Sequence, residues 1–136
     1  MLVVTIAVTQ NGVALGYASS EMKNNEQLVT VAVTQNGLAL EYASEDLKNN
    51  EQLVTVAVTQ YGIVLEYASK GLQNNEQVVT TALKQNGLAL QFASSRLKGE
   101  VDIVLIAVNQ TTLAWEFFSQ EFVIAAVSIW SNNNQQ

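Results

Sequence analysis

Glu41 and Glu45, two carboxylates four residues apart, come nearest in this chain to a pair built for proton transfer. On one face of a helix they could act as donor and acceptor. Like charges at that spacing on an exposed face are more commonly solvated surface, and Lys70 stands 25 residues after Glu45, where a second carboxylate would recur. Ser19, Ser44, Ser69, Ser94 and Ser119 also recur, yet a serine nucleophile needs a base and the chain has no histidine. It has no cysteine either, which removes disulfides, thiolates and most zinc or transition-metal sites. Asn11-Gly12, Asn36-Gly37 and Asn86-Gly87 are too short and too widely spread for a phosphate loop. They read as helix ends. The expectation is a noncatalytic chain with no cofactor and no metal.

The elements that position these residues come from a tandem repeat. Ala7, Ala32, Ala57, Ala82 and Ala107 stand 25 residues apart, as do Gln10, Gln35, Gln60, Gln85 and Gln110, and Tyr17, Tyr42, Tyr67, Phe92 and Phe117. The segments 28–52 and 53–77 differ at only six positions. Self-similarity at such a period marks a stacked architecture with a core running along its length. The array covers residues 1–119, with units 2–27, 28–52, 53–77, 78–102 and a partial 103–119. The fifth copy decays: Thr112 stands in the glycine column and Trp115 in the leucine column. The glutamine column is expected to join adjacent units through amide hydrogen bonds. The aromatic column should pack at the core edge between units, and the serines, each following a small alanine, should permit close helix approach.

Six basic residues against twelve acidic ones give a net charge of −6, with the charges scattered along the sequence. Nucleic acid is not an expected partner, because phosphate binding needs a basic footprint. The apolar opening Leu2 to Val8 lacks a basic start and matches Leu28 to Val33, so it reads as repeat and not as a signal peptide. The stretch from Leu113 to Trp130 is interrupted by Glu116, Gln120 and Glu121, short of a continuous membrane span. A soluble protein in an unspecified compartment, with no membrane partner, is expected.

Two architectures fit the apolar pattern. As helices, each unit gives two short ones joined at the glycine. Leu53, Val54, Ala57, Val58 and Tyr61 fall on one face of the first, and Val64, Leu65, Ala68 and Leu72 on one face of the second. Asn50 and Asn75 suit N-caps, Glu51 and Glu76 a first turn, Gly62 a left-handed residue after the helix, and Lys48 a last turn. Val31 and Val56, off the main stripe, are expected to pack on the next copy. As strands, Val29 to Thr34 alternates, is rich in β-branched residues, and precedes Asn36-Gly37, a strong hairpin signal. The residues alone leave both open.

The run from Ala32 to Glu51 (Ala-Val-Thr-Gln-Asn-Gly-Leu-Ala-Leu-Glu-Tyr-Ala-Ser-Glu-Asp-Leu-Lys-Asn-Asn-Glu) resembles a family of uncharacterised tandem repeats found in amoeba-associated bacteria and some protists. The family signature is Ala-Val-x-Gln-Asn-Gly-x-Ala-Leu-x-Tyr-Ala-Ser-x-x-Leu-Lys, then an Asn-Asp pair and an acidic residue. The resemblance spans nearly the whole chain and fades in the fifth copy. It implies paired-helix repeats, an all-α fold of helical hairpins stacked as a short α-solenoid, with β-hairpin repeats as the alternative. Asn25, Asn50 and Asn75 stand where the family usually has Asp, and Asn caps about as well.

The ends depart from the pattern. Met1 stands where a capping Asn-Asn-Glu belongs, so the first helix reads as clipped, and residues 120–130 read as an apolar cap or degraded half repeat. Residues 131–136 read as a disordered polar tail. The expected function is a noncatalytic scaffold for a protein or peptide partner, the alternative a self-associating array or a fragment of a longer one. The interaction face is placed on columns that vary while the core is held: Glu41, Glu45, Glu66, Lys70, Gln91 and Glu116.

Overall fold

The computed structural model describes residues 2–111, 127–128 and 131–134. The long helices are α1 (Leu2–Gln10), α3 (Glu26–Gln35), α5 (Glu51–Gln60), α7 (Glu76–Gln85) and α9 (Val101–Gln110), alternating with the single-turn α2 (Ser20–Lys23), α4 (Glu45–Lys48), α6 (Lys70–Gln73) and α8 (Ser95–Lys98). Between each long helix and the short one after it lies a 3-10 segment: Gly12–Tyr17, Gly37–Tyr42, Gly62–Tyr67 or Gly87–Phe92. A unit is thus three helical segments, where the sequence suggests two. The second apolar stripe is real, since Val64, Leu65, Ala68 and Leu72 are all buried, but a 3-10 segment and a short helix share it.

No strand occurs among the described residues, so the hairpin alternative finds no support. The threonines show why a β-branched run settles as helix. Thr55 Oγ1 donates to the Glu51 carbonyl and Thr59 Oγ1 to the Thr55 carbonyl, both at 2.7 Å, so each hydroxyl is satisfied one turn back. Leu53, Val54, Ala57 and Val58 then share the buried face. Asn36, in extended backbone, ends α3 and caps the 3-10 segment, its Oδ1 accepting from the Leu38 amide at 3.0 Å. Asn-Gly is therefore a helix junction here and not a strand turn. Asn25, Asn50 and Asn75 cap the long helices as expected, each accepting from the amide three residues on. Glu100, in that column before α9, makes no such side-chain bond.

Three expectations are corrected. Among the described residues no glycine has a positive φ, so Gly62 is not a left-handed terminus. Its role is clearance for the next unit. Val31 and Val56 remain 40% exposed, and Val56 lines an open groove with Thr30 and Thr34 of the preceding unit. Tyr61 lies one residue past α5, in extended backbone, and is exposed rather than on the apolar face.

Successive long helices pack on one another, and the 3-10 segments stack likewise. The result is a short all-α solenoid with one apolar core through the stack. Only the inner units are fully covered: Leu28 is 4% exposed, and Val3 at the same position in the first unit is 79% exposed. Apart from residues 127–128, which are helical, the proposed cap at 120–130 lies outside the described residues. Residues 131–134, within the polar tail, are helical, with Ser131 and Asn134 each engaged in an interaction. No helix among the described residues is long and apolar enough to cross a membrane.

Candidate interaction face

The seam between units is built from fixed columns. A Cβ added to Gly12, Gly62 or Gly87 would run into the backbone carbonyl of Ala32, Ala82 or Ala107 in the next unit, and at Gly37 it would lie 2.9 Å from the Ala57 oxygen. That close approach leaves the glycine amide pointing at the glutamine of the next unit. Gln60 Oε1 accepts from the Gly37 amide at 2.7 Å, and its Nε2 donates to the Val33 carbonyl at 2.9 Å. Gln35 and Gln85 accept from Gly12 and Gly62 in the same way. The expected joining role of the glutamines holds at these three positions.

The serines do more than make room. Ser44, Ser69 and Ser94 accept from the amides of Leu47, Leu72 and Leu97, capping the short helices. Each also donates its hydroxyl at 2.6 Å to Oδ1 of Asn24, Asn49 or Asn74 in the preceding unit. These hydroxyls are spent on structure.

Tyr42, Tyr67 and Phe92 pack half-buried against the core, as expected of core-edge aromatics. Tyr42 lies over the preceding unit, where a Cβ on Gly16 would stand 3.1 Å from its ring. Tyr17, in the first unit, is 96% exposed. Burial, then the Glu41 and Glu66 carboxylates and lastly Tyr42, push the Tyr67 hydroxyl above its ordinary value of 10.0. That shift ties the carboxylates of two successive units to one phenol.

Glu41, Glu45, Glu66, Lys70 and Gln91 are all exposed along the edge formed by the 3-10 segments and short helices, and Glu116 lies outside the described residues. Glu66, Lys70 and Gln91 come together in a cleft of about 450 Å³ between the third and fourth units. Glu45 is instead engaged with Lys48 of its own helix at 3.4 Å, an exposed pair worth little to stability. Ser95, in the same variable column as Lys70, lines this cleft too, as do Gln73 and Lys98, which were missed from the sequence. The available signal was that positions 70, 71 and 73 hold half of the six differences between the second and third copies.

A second concavity was also missed. Glu51, Thr55, Glu76, Gln77, Thr80 and Thr81 line an open groove of about 610 Å³ between α5 and α7. Thr30, Thr55 and Thr80 keep the 25-residue spacing that would have marked it. Among the described residues no group of three acidic side chains is placed to hold a metal. What both offer is hydrogen bonding and charge.

A family model described as "Domain of unknown function (DUF4116)" matches residues 2–48, 25–73 and 75–123. Each match spans about two of the 25-residue units. These segments take in most of the chain, and the chain belongs to that family. No curated protein and no solved structure matched.

Proposed function

We propose that this member of the family is a noncatalytic scaffold that engages a protein or peptide partner through the edge bearing Glu41, Glu45, Glu66, Lys70 and Gln91. One observation carries the reading. The seam columns of glycine, glutamine and serine are held through the first four units for the packing of units, while the exposed edge columns change charge between units that are otherwise nearly identical. Stacked helical repeats commonly present such a face. The reading assigns no cofactor and no catalytic residue, and it takes neither nucleic acid nor membrane as a partner. Its test is charge reversal at two edge positions. Proteins captured by the full chain should be lost on E41K/E66K. If every captured protein still binds that variant, the face is misassigned.

A second reading, end-to-end self-association, is favoured by Val3 and Tyr17, exposed at the first unit where their counterparts Leu28 and Tyr42 are buried and half-buried. Such a patch marks a surface that other protein can cover. Light scattering of the chain over a hundred-fold range of concentration tests it. A mass that grows with concentration and reverts with Val3→Glu supports association, and a constant monomer mass removes it.

A further inference from the structure

The second and third units are alike except at six positions, and three of these fall in the short helix, where Glu45, Asp46 and Lys48 give way to Lys70, Gly71 and Gln73. The consequence is electrostatic. In the second unit the Lys48 ammonium is held by the Glu45 carboxylate. In the third, Gln73 turns inward to 6% exposure, and its Nε2 donates to the carbonyls of Leu65 at 3.0 Å and Glu66 at 3.2 Å. Its Oε1 then accepts from Lys70 Nζ at 3.2 Å. Lys70 is thereby positioned by a neutral group and keeps its full charge for something else.

Lys98 of the fourth unit lines the same cleft, with Ser95 beside it. The salt bridges among the described residues are Lys48 with Glu45 and Arg96 with Glu100, so among these residues neither Lys70 nor Lys98 is paired with a carboxylate. The lining contains one carboxylate, Glu66, against these two ammonium groups. At the preceding junction the corresponding positions hold Glu41, Glu45 and Glu66 against Lys48 and Lys70. The formal charge of the junction therefore turns from −1 to +1 over one repeat.

Resting on the scaffold reading above, we propose that the cleft between the third and fourth units receives a carboxylate side chain of an extended peptide segment in a protein partner, with a basic residue of that segment over Glu41 and Glu45. A uniformly acidic segment is disfavoured, because the chain carries −6 overall and like charge opposes encounter. A segment of both signs matches both junctions. Stacked helices stand about 8–10 Å apart and an extended chain advances about 3.3 Å per residue. The acidic and basic residues of the partner should therefore be about three residues apart.

The test uses the full chain, isotopically labelled for amide NMR, with four synthetic peptides. One has two lysines and two glutamates separated by Gly-Ser, one carries glutamate in place of the lysines, one lysine in place of the glutamates, and one only glycine and serine. The mixed peptide should shift the amides of Lys70, Ser95 and Lys98 together with Glu41 and Glu45. Its half-saturation should be about fivefold lower than for either single-sign peptide, as expected for about one added ion pair. K70E/Q73K restores the pair that the second unit already folds with, and it should erase that advantage. A mixed peptide no better than the glycine-serine one overturns the proposal, as does K70E/Q73K binding it unchanged. Shifts at the same amides on concentrating the chain alone also overturn it, naming a second copy as occupant. If E41K/E66K still removes captured partners in those cases, the scaffold face stands and only this site falls.

Discussion

The seam and the short-helix edge use the same residue types to opposite ends. At the seam, Gly62 has no room for a methyl, because the Ala82 carbonyl already occupies the position, with the Asn86 amide and Gln85 Oε1 at 3.1 Å. On the edge, Gly71 in α6 is open, its nearest neighbours being Asn49 Oδ1 at 3.6 Å and Ser69 Oγ at 3.8 Å. Gln85 accepts from a backbone amide of the neighbouring unit, whereas Gln73 serves its own unit and a lysine. A column is held where a neighbouring backbone depends on it and is free to vary where only water or a side chain does.

Gly62→Ala should break this contrast most visibly. The added Cβ meets backbone, which cannot swing aside, and a cost of about 3 kcal/mol is expected, the upper part of the range for overpacking. Because each unit is stabilised by its neighbours, urea unfolding followed by circular dichroism should separate into two transitions. A single transition at the wild-type midpoint would show that the glycine clearance is unimportant. Gln60→Leu keeps the bulk but leaves the Gly37 amide and the Val33 carbonyl without their partner, and should lose about 2 kcal/mol in the same measurement. Ser69→Ala removes a cap and one bond to Asn49, for a loss of about 1 kcal/mol. Gly71→Ala should run the other way, raising stability by about 0.5 kcal/mol through lower freedom of the unfolded chain. A loss there would place Gly71 with the seam glycines.

The seam was legible in the sequence in identity and partly in mechanism. Asn50 as a cap, the apolar stripe of α5 and the joining role of Gln60 follow from spacing, because each is a local or strictly periodic relation. Gly62 was seen as fixed but misread, since a left-handed turn and a close backbone approach select the same residue, and sequence does not distinguish them. Val56 was misread because helical spacing marks an apolar residue without telling which side the neighbour occupies. On the edge, Glu66, Lys70 and Gln91 were found as variable exposed columns. Lys98 and Gln73 were not, because their meeting depends on how one unit sits on the next.

Tyr67 lies where seam and edge meet, half-buried in one and facing the carboxylates of the other. Its raised pKa means that the unfolded chain gives up the phenolic proton first as pH rises. Stability from this group is therefore complete below the ordinary value of 10.0 and is lost as pH climbs through the folded pKa. The urea midpoint of the wild type should fall more steeply above about pH 10 than that of Tyr67→Phe, which has no proton to lose there. Absorbance at the phenolate band should show Tyr67 titrating earlier in E41Q and E66Q than in the wild type, since each removes one of the charges that oppose ionisation. Burial is the first of the causes and remains in both variants, so neither should bring the group fully back to 10.0. A return to that value in E41Q alone would assign Tyr67 to the edge, its hydroxyl governed by charge and not by the packing of one unit on the next.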